Sequence, residues 1–296
     1  MIEIDGQLHG ALSDTSIIRV CVNLLRVAHF MQNTTETLLD DILARRMERV
    51  NESRRRIPLD RLARAAESRT EFRSFSGALS AGGVRIVAEM KKASPSAGLL
   101  RQSYCCAEIA GAYERAGAAA LSVLTEEDYF QGSLDHLRQA RAAARLPALR
   151  KDFIVDPYQI YESAAAGADA LLLIVAALRD TDLRALVELS ARLRVEALVE
   201  VHTERELYRA LDAGAQLIGV NNRNLKTLEV TLDTSFRLRD KIPAEHLTVA
   251  ESGIKSAADL RKLIAAGFHA ALIGERFMRA PDPGGALAEL LAGVDQ

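Results

Sequence analysis

What the sequence has little of narrows it first. Lys and Arg number 38 against 40 Asp and Glu, a net charge of −2, so no surplus of either sign marks the chain. No global field then draws nucleic acid or an anionic membrane, and any anionic ligand must be held locally. Cysteine is scarce: Cys21 and the adjacent Cys105 and Cys106 are the only three, and none shows a CxxC or His/Cys ligand spacing. That suits a reducing cytoplasm and speaks against structural zinc. Long apolar runs are missing too. The stretch from Ile17 to Phe30 is interrupted by Arg19 and Arg26 and falls short of the roughly 20 residues a bilayer helix needs. A secretory signal would open on positive charge, whereas Glu3 and Asp5 come first here. A cytoplasmic protein is the expectation, with no membrane and no nucleic acid among its partners. A monomer is the working expectation.

What is present describes an ordinary globular chain of 296 residues, 49% hydrophobic and 26% charged, which can bury a sizeable core. After Met31 the segment Gln-Asn-Thr-Thr-Glu-Thr opens like a capped helix ahead of Leu38, Leu39, Ile42 and Leu43. Met31 is therefore a candidate start, residues 1–30 a candidate extension, and 31–296 the expected single domain. Residues 34–78 read as helices that cap or flank it. Leu38, Leu39, Ile42, Leu43 and Met47 predict one apolar face, with arginines opposite. The run Arg54-Arg55-Arg56 lacks interleaved aromatics and sits near Glu48, Glu52 and Asp60, so it reads as a solvated helix end.

From about Arg85 short aliphatic runs alternate with stretches of helical period. The runs lie at 86–88, 120–124, 148–150, 170–175, 197–199, 217–220, 247–250 and 271–273. Helical period fills 107–116, 158–166, 182–193, 204–213 and 257–266, and glycines 117, 167, 214 and 267 each follow such a stretch and precede a strand. Eight such units take about 250 residues and bury each strand on both faces, which explains runs that are continuous rather than alternating. The predicted fold class is α/β, a (β/α)8 TIM barrel with an N-terminal helical extension. The rival, an open doubly wound sheet, normally brings a GxGxxG turn after its first strand, and none occurs here.

In such a barrel the active site forms at the carboxyl ends of the strands. Those ends are charged or polar: Glu89-Met90-Lys91-Lys92, Lys151-Asp152-Phe153, Glu200-Val201-His202, Asn221-Asn222-Arg223-Asn224, Glu251-Ser252-Gly253 and Gly274-Glu275-Arg276. Each alone is a common solvated terminus. Side chains two apart on a strand share a face, so Glu89 goes with Lys91 and Lys151 with Phe153. Convergence of both signs predicts one catalytic mouth. Gly253 and Gly274, in consecutive units, can let backbone amides approach a phosphate, or can simply serve tight turns.

At these residues the sequence stops being generic. Ile86-Val87-Ala88-Glu89-Met90-Lys91-Lys92-Ala93-Ser94-Pro95-Ser96-Ala97-Gly98 resembles the signature of the indole-3-glycerol phosphate synthase family. Leu149-Arg150-Lys151-Asp152-Phe153-Ile154, Leu198-Val199-Glu200-Val201-His202, Gly219-Val220-Asn221-Asn222-Arg223-Asn224-Leu225 and Ala250-Glu251-Ser252-Gly253-Ile254 resemble its strand-end motifs, in the same order. The resemblance spans roughly Thr34 to Leu291. It implies a small phosphorylated substrate, 1-(2-carboxyphenylamino)-1-deoxyribulose 5-phosphate, closed to an indole with loss of carbon dioxide and water, and no metal or organic cofactor.

The resemblance also implies roles. Lys151 is the expected acid at the ribulose carbonyl, and Glu200 the base in dehydration. Lys91, paired with Glu89, sits near the substrate carboxylate and phosphate, or serves as an acid in the dehydration. Ser94, Asn221, Arg223 and Ser252 orient substrate or catalytic groups, while Gly253 and Gly274 offer amides to the phosphate. Phe153 is either a wall for the anthranilate ring or a core residue. Two departures stand out: Ala97 where relatives often carry a lysine, and Glu275 where some carry a serine. A carboxylate at 275 would repel an anion, so only its backbone amide is expected to serve. Two rivals remain at this point: a phosphate-binding barrel isomerase, and a barrel that binds a ligand without catalysis.

Overall fold

Eight short aliphatic strands close into a parallel barrel. They are β1 (Arg85–Met90), β2 (Ala120–Leu124), β3 (Ala148–Lys151), β4 (Ala170–Ile174), β5 (Glu196–Val201), β6 (Leu217–Asn221), β7 (Leu247–Glu251) and β8 (Ala270–Ile273). Every strand pairs in parallel with its sequence neighbour, and β1 pairs with β8 to shut the ring. The computed structural model describes residues 37–225 and 227–294. Met31, the candidate capping residues 32–36 after it, the extension 1–30 and Cys21 lie outside those residues, whereas Thr37 is described directly ahead of Leu38. From Leu38 onward the chain forms one compact unit. Among the described residues no helix is long and apolar enough to cross a membrane.

Two apolar clusters show why the strands read as unbroken runs. Val87, Ala120, Leu149, Ala170, Leu172, Leu198, Leu217, Val249 and Leu272 pack together inside the barrel. Their neighbours, among them Ile86, Ala88, Leu121, Leu171, Val199, Ile218 and Ala271, pack outward with helix residues such as Leu137, Leu186, Leu207 and Leu263. A strand buried on both faces has no polar side to alternate with. The helices follow the expected stretches closely, for example Cys106–Arg115, Pro157–Ala165 and Glu204–Asp212. Gly117, Gly167, Gly214 and Gly267 take φ of 91°, 89°, 85° and 92°. That left-handed turn ends each helix and redirects the chain into the next strand, a conformation a Cβ would strain.

Among the described residues three helices precede the barrel: α1 (Leu38–Arg56), α2 (Leu59–Glu67) and α3 (Phe75–Ser80). Pro58 separates the first two, since it cannot donate within a continuing helix. α3 plugs the amino end, with Phe75 and Leu79 completing the interior cluster. α1 corrects one expectation, because arginine is not confined to its outer face. Its buried positions are Ile42, Arg46 and Val50, and the Arg46 guanidinium pairs with Glu127 and, at 3.5 Å, with Asp152. Arg45 and Arg49 reach Asp128 at 3.1 and 2.7 Å. The helix is thus clamped to the loop after β2, which Glu126 braces by accepting from the amides of Asp128, Tyr129 and Phe130. Of the basic run, Arg55 and Arg56 are exposed, whereas Arg54 is tied to Asp156 at 2.6 Å.

Candidate active site

Alternation along each strand decides which polar groups enter the barrel. Glu89 continues the inward row of Val87, Lys151 that of Leu149, Glu200 that of Leu198, Asn221 that of Leu217 and Gly219, and Glu251 that of Val249. Each is the last inward position before its strand ends. Polar groups from five strands, four of them charged, therefore meet above a closed apolar floor.

Lys151 is the hub. Its Nζ lies 2.8 Å from Glu200 Oε2 and 2.9 Å from Glu251 Oε2. Burial by itself would strip the ammonium of its proton, but Glu200, Glu251 and Glu89 outweigh it and hold the pKa above the usual lysine value. Burial likewise works against an ionised Glu200. Lys151, His202 and a hydrogen bond from Asn221 overcome it, and the carboxyl is held below its ordinary range. Glu251 goes the other way: burial and the repulsion of Glu200 and Glu89 prevail over Lys151 and raise its pKa. Two carboxylates against one ammonium cannot both be well served. Glu251 Oε1 is buried with no hydrogen-bond partner among the described residues.

Glycines make this crowding possible. A Cβ on Gly219 would lie 2.2 Å from Glu251 Oε1, and one on Gly274 would lie 2.4 Å from Glu89 Oε1. Both side-chain pockets exist because the neighbouring strand carries no side chain there. Glu89, 4% exposed, accepts from Lys91 Nζ at 2.7 Å, so the pair expected on β1 is formed.

The outer mouth is a hollow lined by Lys91, Ser94, Phe153, Arg223 and Glu275 together with Leu38, Leu39, Ile42, Pro95, Ser96, Phe130, Leu225 and Leu228. Phe153 stands tilted against Phe130 with centroids 6.1 Å apart, half-buried, lining the hollow and packing against the interior cluster as well. Asn221 accepts from the Arg223 amide at 3.0 Å, which fixes the turn presenting that arginine. Ser252 and Gly253 are consecutive left-handed residues, φ 64° and 80°, and a Cβ on Gly253 would strike Val230 at 2.7 Å. Glu275 does not stand clear of the hollow. Its carboxylate lines it, neutralised by Arg279 at 3.0 Å and facing Arg223 at 3.9 Å.

The structure thus brings Glu89, Lys91, Lys151, Glu200 and Asn221 into one charged centre, and Ser94, Phe153, Arg223 and Glu275 into the hollow outside it. Ser252 and Gly253 follow β7 and Gly274 follows β8, and none of the three is among the residues that line the hollow. Sequence reading missed three contributors. Glu251 was visible only as one more strand-end carboxylate, although mid-strand Gly219 signalled a close approach beside it. Asn222 donates to the carbonyls of Glu251 and Ser252 at 3.0 and 3.1 Å and accepts from the Ser235 amide at 3.0 Å, which locks the β7 turn. The α1 leucines were assigned to packing, yet they wall the mouth.

A barrel whose carboxyl end gathers an ammonium between two carboxylates, beside an apolar and arginine-bearing hollow, defines an acid–base enzyme of the (β/α)8 class. Comparison with known proteins says which. The indole-3-glycerol phosphate synthase family model matches residues 39–290. A relative of that name from Polaromonas sp. strain JS666 is 52% identical over 262 residues, 87% of this chain and 99% of its own length. Another, from Polaromonas naphthalenivorans strain CJ2, is 51% identical over 257 residues, 86% and 98% of the two chains. The chain belongs to the indole-3-glycerol phosphate synthase family, carboxy-lyases of tryptophan biosynthesis. Among solved structures, 3-hexulose-6-phosphate synthase aligns with a TM-score of 0.57 at 17% identity, covering 71% of this chain and 99% of that one, a likeness of fold alone.

Proposed function

We propose that the mouth binds 1-(2-carboxyphenylamino)-1-deoxyribulose 5-phosphate and closes its indole ring with these residues in these roles. The ring carbon bearing the carboxylate attacks the C2 carbonyl, whose oxygen gains charge as the bond forms. Lys151 gives that oxygen a proton, a role supported by an ammonium kept protonated by its two carboxylate neighbours. Carbon dioxide then leaves and the ring regains aromaticity. Dehydration follows: the new hydroxyl takes a proton from the Lys91 side chain, which Glu89 holds in place, and departs as water, while a proton is lost from the adjacent position. Glu200 takes that proton, which suits a carboxylate held ionised at neutral pH. Lys91 faces the substrate carboxylate and phosphate with Glu89 setting its position. The outer hollow suits the anthranilate ring against Phe153, with Ser94, Arg223 and the Glu275 amide for the polar groups, while the backbone amides of Gly253 and Gly274, in the turns after β7 and β8, are offered to the phosphate.

The observation that carries this reading is Lys151 Nζ held between Glu200 and Glu251 at 2.8 and 2.9 Å. A barrel that merely binds a ligand has no need of acid and base on separate strands. Near-balanced charge and cysteines without ligand spacing support a cytoplasmic enzyme on a small phosphorylated substrate. The test is to supply the carboxyphenylamino ribulose phosphate and follow indole fluorescence. Lys151→Ala and Glu200→Gln should each lower turnover by about 100-fold or more. Near-normal turnover in both discards the roles. Binding of a substrate analogue should survive those changes better than it survives Gly253→Ala or Gly274→Ala.

A further inference from the structure

His202 follows directly on β5, and its imidazole, 11% exposed, lies between two carboxylates. Nδ1 is 3.2 Å from Glu206 Oε2, an oxygen that also accepts from the His202 backbone amide at 2.7 Å. Nε2 is 3.4 Å from Glu200 Oε1, an ion-pair contact longer than a formed hydrogen bond. Glu200 Oε2, its other oxygen, is the one Lys151 holds. The proposed base is therefore gripped on both sides, by an ammonium from β3 and an imidazole from the end of its own strand.

A neutral imidazole donates from one nitrogen only, and here both nitrogens face carboxylate oxygens. The imidazolium serves both. We infer that His202 is a positioning residue, a cation bridging Glu206 to Glu200 that fixes the Glu200 carboxylate in place and keeps it ionised. It rests on the reading of Glu200 as the base. The charged groups facing the ring are Glu200 on β5, Glu206 on the helix Glu204–Asp212 and Glu251 on β7; Lys151 on β3 stands beyond Glu200. Three carboxylates against one already shared ammonium leave a net negative surround. Burial pulls the ring toward the neutral form, but Glu206, Glu200 and Glu251 prevail and its pKa is raised. Glu200, reciprocally, owes part of its low pKa to this ring. Glu206 is tied in turn to the start of its helix, accepting at the His202 amide while its own amide donates to Thr203 Oγ1 at 3.2 Å.

The experiment compares kcat and KM against pH for the unaltered enzyme, His202→Gln and Glu206→Gln, alongside an NMR titration of 15N-labelled histidine in the full chain. Glutamine keeps a hydrogen-bond donor and loses the charge. His202→Gln should lower kcat by roughly 10-fold while KM stays within about 2-fold. The acid limb of kcat should move up by about one pH unit, because Glu200 with Lys151 as its one remaining cationic neighbour protonates more readily. Glu206→Gln should move the limb the same way by less and lower the pKa of the His202 ring. In the unaltered enzyme that ring should titrate above an ordinary histidine. A ring that titrates at or below the ordinary value, or an acid limb unmoved in both variants, overturns the inference. If His202→Gln does not fold, the Glu206→Gln profile and the ring titration still decide. Glu200→Gln in the same assay separates the two claims: near-normal turnover there removes the base assignment itself. Lost turnover there, with unmoved profiles in the other two, removes only the bridging role.

Discussion

The two ends of this barrel are built from the same residue types and use them in opposite ways. At the amino end Asp169, fully buried, has every lone pair engaged. Its Oδ1 accepts from Arg69, the Arg73 amide at 3.1 Å and Arg141 at 3.4 Å, while Oδ2 accepts from the Ala148 amide at 3.1 Å and Arg141 at 3.3 Å. Glu196 beside it takes the amides of Phe75 and Ser76 at 2.7 and 2.9 Å and so seats α3 in the barrel floor. At the mouth, Glu251 and Glu200 compete for one lysine and Glu251 Oε1 has no partner. A buried charge with all its partners fastens structure, whereas one left short is costly to fold and free to meet a substrate.

That contrast breaks first, and most visibly, at Asp169. Asp169→Ala strands Arg69 and Arg141 at the amino end, and losing one side of a buried ion pair costs about 3–5 kcal/mol. Chemical denaturation should show that loss while turnover of the folded enzyme stays within about 2-fold. A large drop in kcat would mean the two ends are not separable. Next comes Glu251→Gln, which keeps the shape in the space beside Gly219 and removes the surplus negative charge. Turnover should fall by about 10- to 100-fold with the midpoint of thermal unfolding unchanged or higher, the trade expected where activity needs a strained group. A lowered midpoint would show that Glu251 supports the fold instead. Smaller again is Gly253→Ala. The left-handed backbone and the contact with Val230 should cost about 1–2 kcal/mol of strain in the β7 turn, read as a rise in KM for the phosphorylated substrate with kcat nearly kept.

The same contrast explains what could be read from the chain. The floor was legible because burial on both faces leaves no choice of residue: the aliphatic runs of β1 to β8 and the glycines at 117, 167, 214 and 267 follow from geometry at each position. Lys151 and Glu200 were legible because charge at the inward end of an apolar strand has few structural uses. Arg46 was not. A period-3.6 reading sends arginine outward, and only the fold brings Glu127 and Asp152 to its buried side. The role of Glu251 hid for a similar reason, since its competition with Glu200 arises across strands and not within any motif. Leu38, Leu39 and Ile42 announced an apolar face correctly but not that the face looks onto the mouth. Arg194 shows the repeat bending without breaking: it takes φ 57°, where other units place glycine, and its guanidinium lies 4.3 Å over the Phe72 ring.

The smallest expected effect lies at the outer part of the clamp between α1 and the loop after β2, where exposed Asp128 meets Arg45 and Arg49. Hydrogen bonds from Arg49 and Arg45, against a little burial, hold the Asp128 carboxyl down from 3.8 to about 2. A carboxyl with a depressed folded pKa stabilises the fold above its unfolded value, and that contribution is lost as pH falls through the folded one. The clamp should therefore be intact at pH 5 and released between 3.8 and about 2. Exposed pairs of this kind are worth about 0–1 kcal/mol, so Asp128→Asn should lower the thermal midpoint slightly at pH 5 and not at all near pH 2. High salt should shrink the difference at pH 5. A gap between the two proteins that persists to pH 2 would show that Asp128 holds α1 by packing and not by charge.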